Sequence, residues 1–387
     1  MTVPAAPDRP DPGYRSPILD RPGAVDAPGP GPDAGVPFHY GDPFAEQRVA
    51  ASSVVVVDRS HRDVLTIGGA ERLSWLEGFV SQHVADLPDR SGAETLILDA
   101  NGRVEHHMVL SDVDGTLVLD TEPGRGADLL AFLTRMVFWA DAAPRTADLV
   151  VVTLVGTGLP DTVTAPDGTP VELPRRDYAS VPLPGGGIAR RMPWPAAGSI
   201  DLLVPRADLT AWFDSAVRSG ARPAGSWALE AMRTAESIPL RARLGVDTDE
   251  KTIPHEVPAW IGEVAQRGAV HLDKGCYRGQ ETVSRVHNLG KSPRVLVRLH
   301  LDGSGVDQSV TPGAAVTVGG RPVGRLGTVV HHHEDGPVAL ALIKRSVAPG
   351  TALEVDGVSA ALDPDSLPDD SGPQAGREAI RRLRGQG

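Results

Sequence analysis

Residues 271–291 read HLDKGCYRGQETVSRVHNLGK, and they stand where the chain changes texture. Upstream, β-branched runs alternate with stretches of helical spacing. From Pro293 onward come short strands with closely spaced glycines: RVLVRLHLDG, AAVTVGGRPVGRLGTVV, GPVALALIKR and TALEVDGVSAALD. Many short strands with such turns predict a small β-barrel over 293–364. The stretch itself carries Cys276, the single cysteine of the 387-residue chain, between Gly275 and Gly279 and among Lys274, Arg278, Arg285 and His287. A thiol reacts or ligates as the thiolate, and neighbouring cations favour that form. Cys276 is therefore the candidate functional thiol, with Lys274 and Arg278 beside it, at a loop tip that the glycines permit. The competing reading is a small buried hydrophobe, as most free cysteines are.

Working toward the N-terminus, RADLTAWFDSAVRSG has helical spacing and stops at Gly220, and DLVVVTLVG and SIDLLVP read as strands with hairpins and loops between them. Earlier still, ETLILDANGRVEHHMVLSDVDGTLVLDTE holds Asn101-Gly102 and Asp114-Gly115 between apolar runs. These dipeptides suit tight hairpins and predict a three-stranded meander. GRGADLLAFLTRMVFWA then reads as an amphipathic helix, and SSVVVVDRSHRDVLTIGG as a strand pair leading into a helix at AERLSWLEGFV. The class is α+β. The division expected is a disordered Pro/Gly-rich arm over 1–40, a first α+β domain over 41–148, a second over 149–292 that ends in KGCYRGQE, the barrel over 293–364, and a polar tail over 365–387 with a short basic helix at REAIRRLRG.

Composition narrows the chemistry. A net charge of −12 argues against broad nucleic-acid or anionic-membrane binding, since both need an extended basic surface. One cysteine allows no internal disulfide and favours a reducing, cytoplasmic setting. No apolar span is long enough to cross a bilayer and no targeting segment is expected. His331, His332 and His333 are consecutive, so alternate side chains point to opposite faces of a strand; a solvated hairpin end is expected and no stably bound metal.

KGCYRGQE, with DEKTIPHE about twenty residues before it, resembles the signature of the YgfZ family, folate-binding proteins linked to iron–sulfur cluster assembly and repair and related in fold to the glycine-cleavage aminomethyltransferase. SWLEGFVSQHVADL, LDANGRV, LGVDTDEKTIPHE, PGAAVTVGGRPVGRLGTVV and VALALIKR follow in the family's order, over Val54 to Asp363. The resemblance implies a three-domain ring, with two α+β domains and a C-terminal barrel around a folate-sized cavity. It also implies tetrahydrofolate or another reduced folate as ligand, folate contacts from Glu256, Tyr277, Gln280, Glu281 and Arg285, and iron–sulfur client or assembly proteins as partners. Glu256 has a second reading as an acidic residue at a helix N-terminus. The basic run Arg285, His287, Lys291 and Arg294 is either a solvated loop or a seat for folate-tail carboxylates or an acidic partner.

Two departures bear on activity. NGRVEHHMVL places His106 and His107 where aminomethyltransferases carry an aspartate pair, and imidazoles do not supply the same anion. RTAESIP has Ala235 where the family often has the glutamate that addresses the pterin, with Glu236 beside it. The implied role is an accessory factor acting through Cys276. The alternatives are a tetrahydrofolate-dependent one-carbon enzyme and a folate-binding protein whose cysteine is structural.

Overall fold

The computed structural model describes residues 13–29, 31–195, 198–235, 240–304 and 310–368. Two glycine turns fold residues 91–121 back on themselves. Asp114 and Gly115 both hold positive φ, 49° and 82°, the mirror-image turn whose twist suits paired strands. Val104–Val113 thus runs antiparallel to Thr116–Thr121, with Val113 opposite Thr116. Gly102, at φ 77°, closes the other turn and brings Ser91–Leu98 alongside. Asp63–Gly68 and Ala143–Thr146 extend this meander to a five-stranded sheet. Against it lies the helix Gly126–Met136, which buries Leu129, Phe132 and Leu133.

The valine run at 54–57 does not pair with the strand that follows it. Val55, Val56 and Val57 are wholly buried, so the strand Val55–Asp58 needs cover on both faces and neighbours on both edges. It takes Leu149–Val155 antiparallel on one side and Arg222–Ala224 parallel on the other, inside a six-stranded sheet completed by Ser199–Pro205, Ile188–Met192 and Ser180–Pro182. The expected strand pair is corrected: a turn at Arg59–Arg62 sends the chain from one sheet into the other. The helix Leu209–Arg218 packs Trp212 and Phe213 on the six-stranded sheet, and Gly220 follows at φ 103°.

The arm expected to be disordered is ordered in its described part, from residue 13. Ile18 is fully buried in the core of the six-stranded sheet. Ser16 donates a short hydrogen bond to Asp58, Tyr14 donates to Ser60 at 2.6 Å, and the Phe38 ring stacks on Trp227 at 5.1 Å. Average composition underrates such a segment, because a few apolar side chains with ready sites can fix many prolines whose φ is already set. Residues 1–12 lie outside the described residues, as do 369–387 with REAIRRLRG. At the expected junction of barrel and tail, Pro364–Ser366 forms a 3-10 turn whose buried Ser366 accepts from the Arg298 N–H at 3.0 Å.

Packing groups the chain into two compact units that are not consecutive in sequence: one through Leu76 with Val84–Glu94 and His106–Arg233, the other Glu77–His83, Thr95–Glu105 and the chain from Thr234. The second unit contains a closed six-stranded barrel of Arg294–Leu301, Gly336–Lys344, Arg321–His332, Ala315–Val318, Leu353–Val355 and Val358–Leu362. Along Arg294–Leu301 the alternation is used twice. Val295, Val297, Leu299 and Leu301 fill the barrel, whereas Leu296 joins Leu340, Leu342, Trp260, Tyr277 and Val283 in a second cluster outside it. That cluster seats the cysteine segment. At the hairpin end the His332 and His333 side chains are only 12% and 11% exposed, with rings 4.6 Å apart, so the expected solvated end is largely covered.

Candidate functional site

Four residues in a row set the geometry of the thiol. Lys274 and Tyr277 are buried while Gly275 and Cys276 between them are exposed, so two anchors carry the cysteine outward. Lys274 is the stronger anchor. Its ammonium donates to the carbonyls of Glu77 (2.8 Å), Val80 (2.7 Å) and Gln82 (3.0 Å), and the Glu77 carboxylate lies 3.1 Å away. Burial lowers its pKa, with Glu77 partly offsetting that. Tyr277 belongs to the hydrophobic cluster; burial pushes its phenol up to about 12, and the Lys274 ammonium stands 5.2 Å from its ring centre.

The segment that receives Lys274 is held by its own polar side chains. Ser81 Oγ donates to the Ala269 carbonyl at 2.7 Å and accepts from the Leu96 N–H. The Gln82 amide donates to the carbonyls of Gly262 (3.1 Å) and Gly268 (2.8 Å). A buried serine and glutamine inside the apolar run GFVSQHV would each be costly without such partners, and that was the signal available in the sequence for these positioning residues.

Beyond the thiol, Gly279 turns the chain into the helix Gln280–Leu289 at φ 82°. A side chain there would meet the Asp99 carbonyl at 2.6 Å and Gly102 Cα at 2.9 Å, and one on Gly102 would meet Thr282 Cβ at 2.6 Å. LDANGR and KGCYRGQ are thus pressed together through two glycines. Gly275 differs: its φ is outside the left-handed region, and a Cβ on it would have nothing within 4 Å. The contact is reinforced by Arg278, which donates to Glu105 at 2.7 Å. Both cations expected to activate Cys276 therefore have other engagements, Lys274 with the backbone and Arg278 with a carboxylate.

The side chains expected to meet folate are likewise engaged elsewhere or exposed. Glu256 is 1% exposed in the 3-10 turn Pro254–Glu256, and both its oxygens take Arg294, at 2.8 and 2.7 Å. It also accepts from the Ile253 N–H at 3.2 Å, inside a three-residue 3-10 turn. Arg294 binds Asp249 on its other side, and is thereby removed from the expected basic run. Gln280 accepts from the Tyr277 N–H at 3.3 Å. Glu281, Arg285 and His287 are exposed on the helix, and the His287 ring lies 6.0 Å from that of His255, whose imidazole burial lowers to about 4. Glu256 and Gln280 thus have partners within the chain, and Tyr277 lies in the hydrophobic cluster.

In the other unit His106 and His107 point to opposite faces of their strand, as neighbours must. His106 sits 5.9 Å from the Phe132 ring. His107 Nε2 lies 2.9 Å from the buried Glu94 carboxylate, whose second oxygen accepts from Tyr178 OH at 3.2 Å. His107, Glu94 and Tyr178 thus form a buried imidazole–carboxylate–phenol chain. Ala235 ends the helix Ser226–Ala235, its carbonyl accepting from Arg298, and Glu236 lies outside the described residues. Among the described residues no three His, Cys, Asp or Glu side chains are grouped to hold a metal ion, and no helix is long and apolar enough to cross a membrane.

No protein-family model matches the chain. A chloroplastic protein of Arabidopsis thaliana, assigned provisionally by name to the transferases, is 23% identical over 322 residues, 77% of this chain and 67% of its own length. An aminomethyltransferase of Thermotoga petrophila is 23% identical over 339 residues, 83% of this chain and 86% of its own. Among solved structures, the glycine cleavage system aminomethyltransferase T of Bartonella henselae covers 90% of this chain with a TM-score of 0.73 at 15% identity, and 96% of that chain is matched. The mixed α+β architecture with its closed C-terminal barrel is therefore the aminomethyltransferase fold.

Proposed function

We propose that this chain is a YgfZ-like accessory protein of iron–sulfur cluster assembly or repair that binds a reduced folate and works in the cytoplasm through Cys276. The observation that carries the reading is the exposed thiol on a loop pinned by Lys274 and Tyr277 and packed through Gly279. A fixed, outward thiol suits thiol exchange or ligation to a group brought by another molecule. One thiolate supplies one of the ligands a cluster needs, so the remainder come from a client, a second copy or a small thiol. Folate binding rests on the fold and on the resemblance of the motifs, and no step is assigned to it.

A second reading, one-carbon transfer, is favoured by the similarity to an aminomethyltransferase over 83% of the chain. Against it stands His107, paired with Glu94 at a position where the resemblance implies an aspartate in the aminomethyltransferases. Both are tested together. In cells lacking the protein, the wild type restores the activity of cluster-containing enzymes and Cys276→Ser does not, while tetrahydrofolate raises the melting temperature of both purified forms by mass action. Full rescue by Cys276→Ser, or turnover of the wild type with a lipoyl carrier and tetrahydrofolate in place of an aminomethyltransferase, overturns the accessory reading. No thermal shift at millimolar tetrahydrofolate removes folate from it.

A further inference from the structure

We propose that a groove of about 590 Å³ in the first unit, between the helix Gly126–Met136 and the strand Asp63–Gly68, binds an amphipathic carboxylate, an apolar body of medium-chain length with one acid group. The helix has two apolar faces. Leu129, Phe132 and Leu133 go to the core. Ala127, Leu130, Ala131 and Thr134, spaced i, i+3, i+4, i+7, line the groove instead. Three of these four are small, which is why the space exists. Val64 and Leu65 form part of the opposite wall, giving an apolar cleft within the usual volume range of small-molecule sites.

The charge at the groove chooses the head group. Arg62 is committed to Asp120 at 2.6 Å and Glu122 at 3.2 Å, and Asp63 accepts from the Gly126 N–H at 2.8 Å. Arg206 is different. Its guanidinium lies 5.5 Å from the Tyr14 ring centre, and only its Nε is engaged, by Asp148 at 3.3 Å, in a pair exposed by 45% and 84%. Such surface pairs contribute little. Its two Nη groups have no hydrogen-bond partner among the described residues. A planar fork held by an aromatic ring matches the two oxygens of a carboxylate. A cation and hydrocarbon in one lining together specify an acid with an apolar tail. Phe138 and Trp139, 73% and 99% exposed, lie on the connection from this helix to Ala143–Thr146, whose Thr146 also lines the groove.

Titration calorimetry of the full chain with decanoate and with 1-decanol tests this. One decanoate binds per chain, and the alcohol binds at least tenfold more weakly, as expected for loss of one charge-assisted pair. Arg206→Ala weakens decanoate by about the same factor and leaves the alcohol unchanged. Ala131→Trp, at an exposed position, fills the groove and abolishes both, with an unchanged circular dichroism spectrum as the folding control. No saturable decanoate binding at millimolar concentration, equal binding of acid and alcohol, or an Ala131→Trp variant that binds as the wild type does would each overturn the proposal.

Discussion

At Lys274 three backbone carbonyls and a carboxylate converge on one ammonium, and the consequence for Cys276 is positional. Three carbonyls and the Glu77 carboxylate share the ammonium's N–H groups, so removing it leaves those acceptors without their donor. Lys274→Met is expected to destabilise the fold by about 2–4 kcal/mol, by analogy with other buried charged hydrogen bonds, measured by urea unfolding. Because Cys276 is exposed, iodoacetamide should label it in the native protein at a rate that sub-denaturing urea does not change; labelling that tracks global unfolding would show a sequestered thiol. The prominence of this thiol was legible from glycines and cations around a lone cysteine. The engagement of its cations was not: the carbonyls that take Lys274 lie nearly two hundred residues earlier, and the arginine that takes both oxygens of Glu256 lies 38 residues later. Local spacing shows which charges are near in sequence and says nothing about which partner each one finds.

At the scale of elements, the hairpin turn at Gly102 and the turn into the helix at Gly279 form one contact, and the two flanking glycines of the cysteine motif have different roles. Gly279→Ala forces φ 82° on an alanine and drives its Cβ to 2.6 Å from the Asp99 carbonyl. Left-handed backbone alone costs about 1–2 kcal/mol per residue, and the clash adds to it. Gly275→Ala meets open space and should stay within about 1 kcal/mol of the wild type. Comparing the two melting curves separates the glycine required by packing from the one that is not; equal losses would show that the segment is set some other way. Turn chemistry was legible at Asp114-Gly115, where both residues hold positive φ, and in part at Asn101-Gly102, where only the glycine does. Strand partnership was not. The run at 54–57 is separated by only a short polar stretch from the next strand, the mark of a hairpin, yet a valine run buried on both faces was drawn to the interior of another sheet.

At the scale of the molecule, the second unit gathers Glu77–His83 and Thr95–Glu105 from far upstream, and no boundary drawn along the sequence could anticipate it. Ion clusters inside the units are equally non-local, and they set the response to acid. In the first unit Arg190, buried, joins Asp120 at 2.7 Å and Asp201 at 2.9 Å. In the second, Arg294 joins Asp249 and Glu256. Burial alone pushes the Asp120 and Asp249 carboxyls up, but the arginines more than offset this and hold both at about 2. A carboxyl depressed in the folded state binds fewer protons there than in the unfolded chain. Its contribution is therefore fully present above the unfolded value near 4 and is lost as pH falls toward 2. For Asp249, partly open to solvent and so screened, the difference corresponds to roughly 1–2 kcal/mol. Asp249→Asn should lower stability at pH 7 by about that amount and flatten the profile between pH 4 and 2, because the linked proton is gone. Asp120→Asn should cost more at pH 7, about 3–5 kcal/mol, since it leaves deeply buried arginines short of a partner. Urea unfolding followed by circular dichroism at pH 7, 4 and 2.5 reads both. If Asp249→Asn kept the acid limb of the wild type unchanged, the Arg294 cluster would have no part in the acid sensitivity of the second unit.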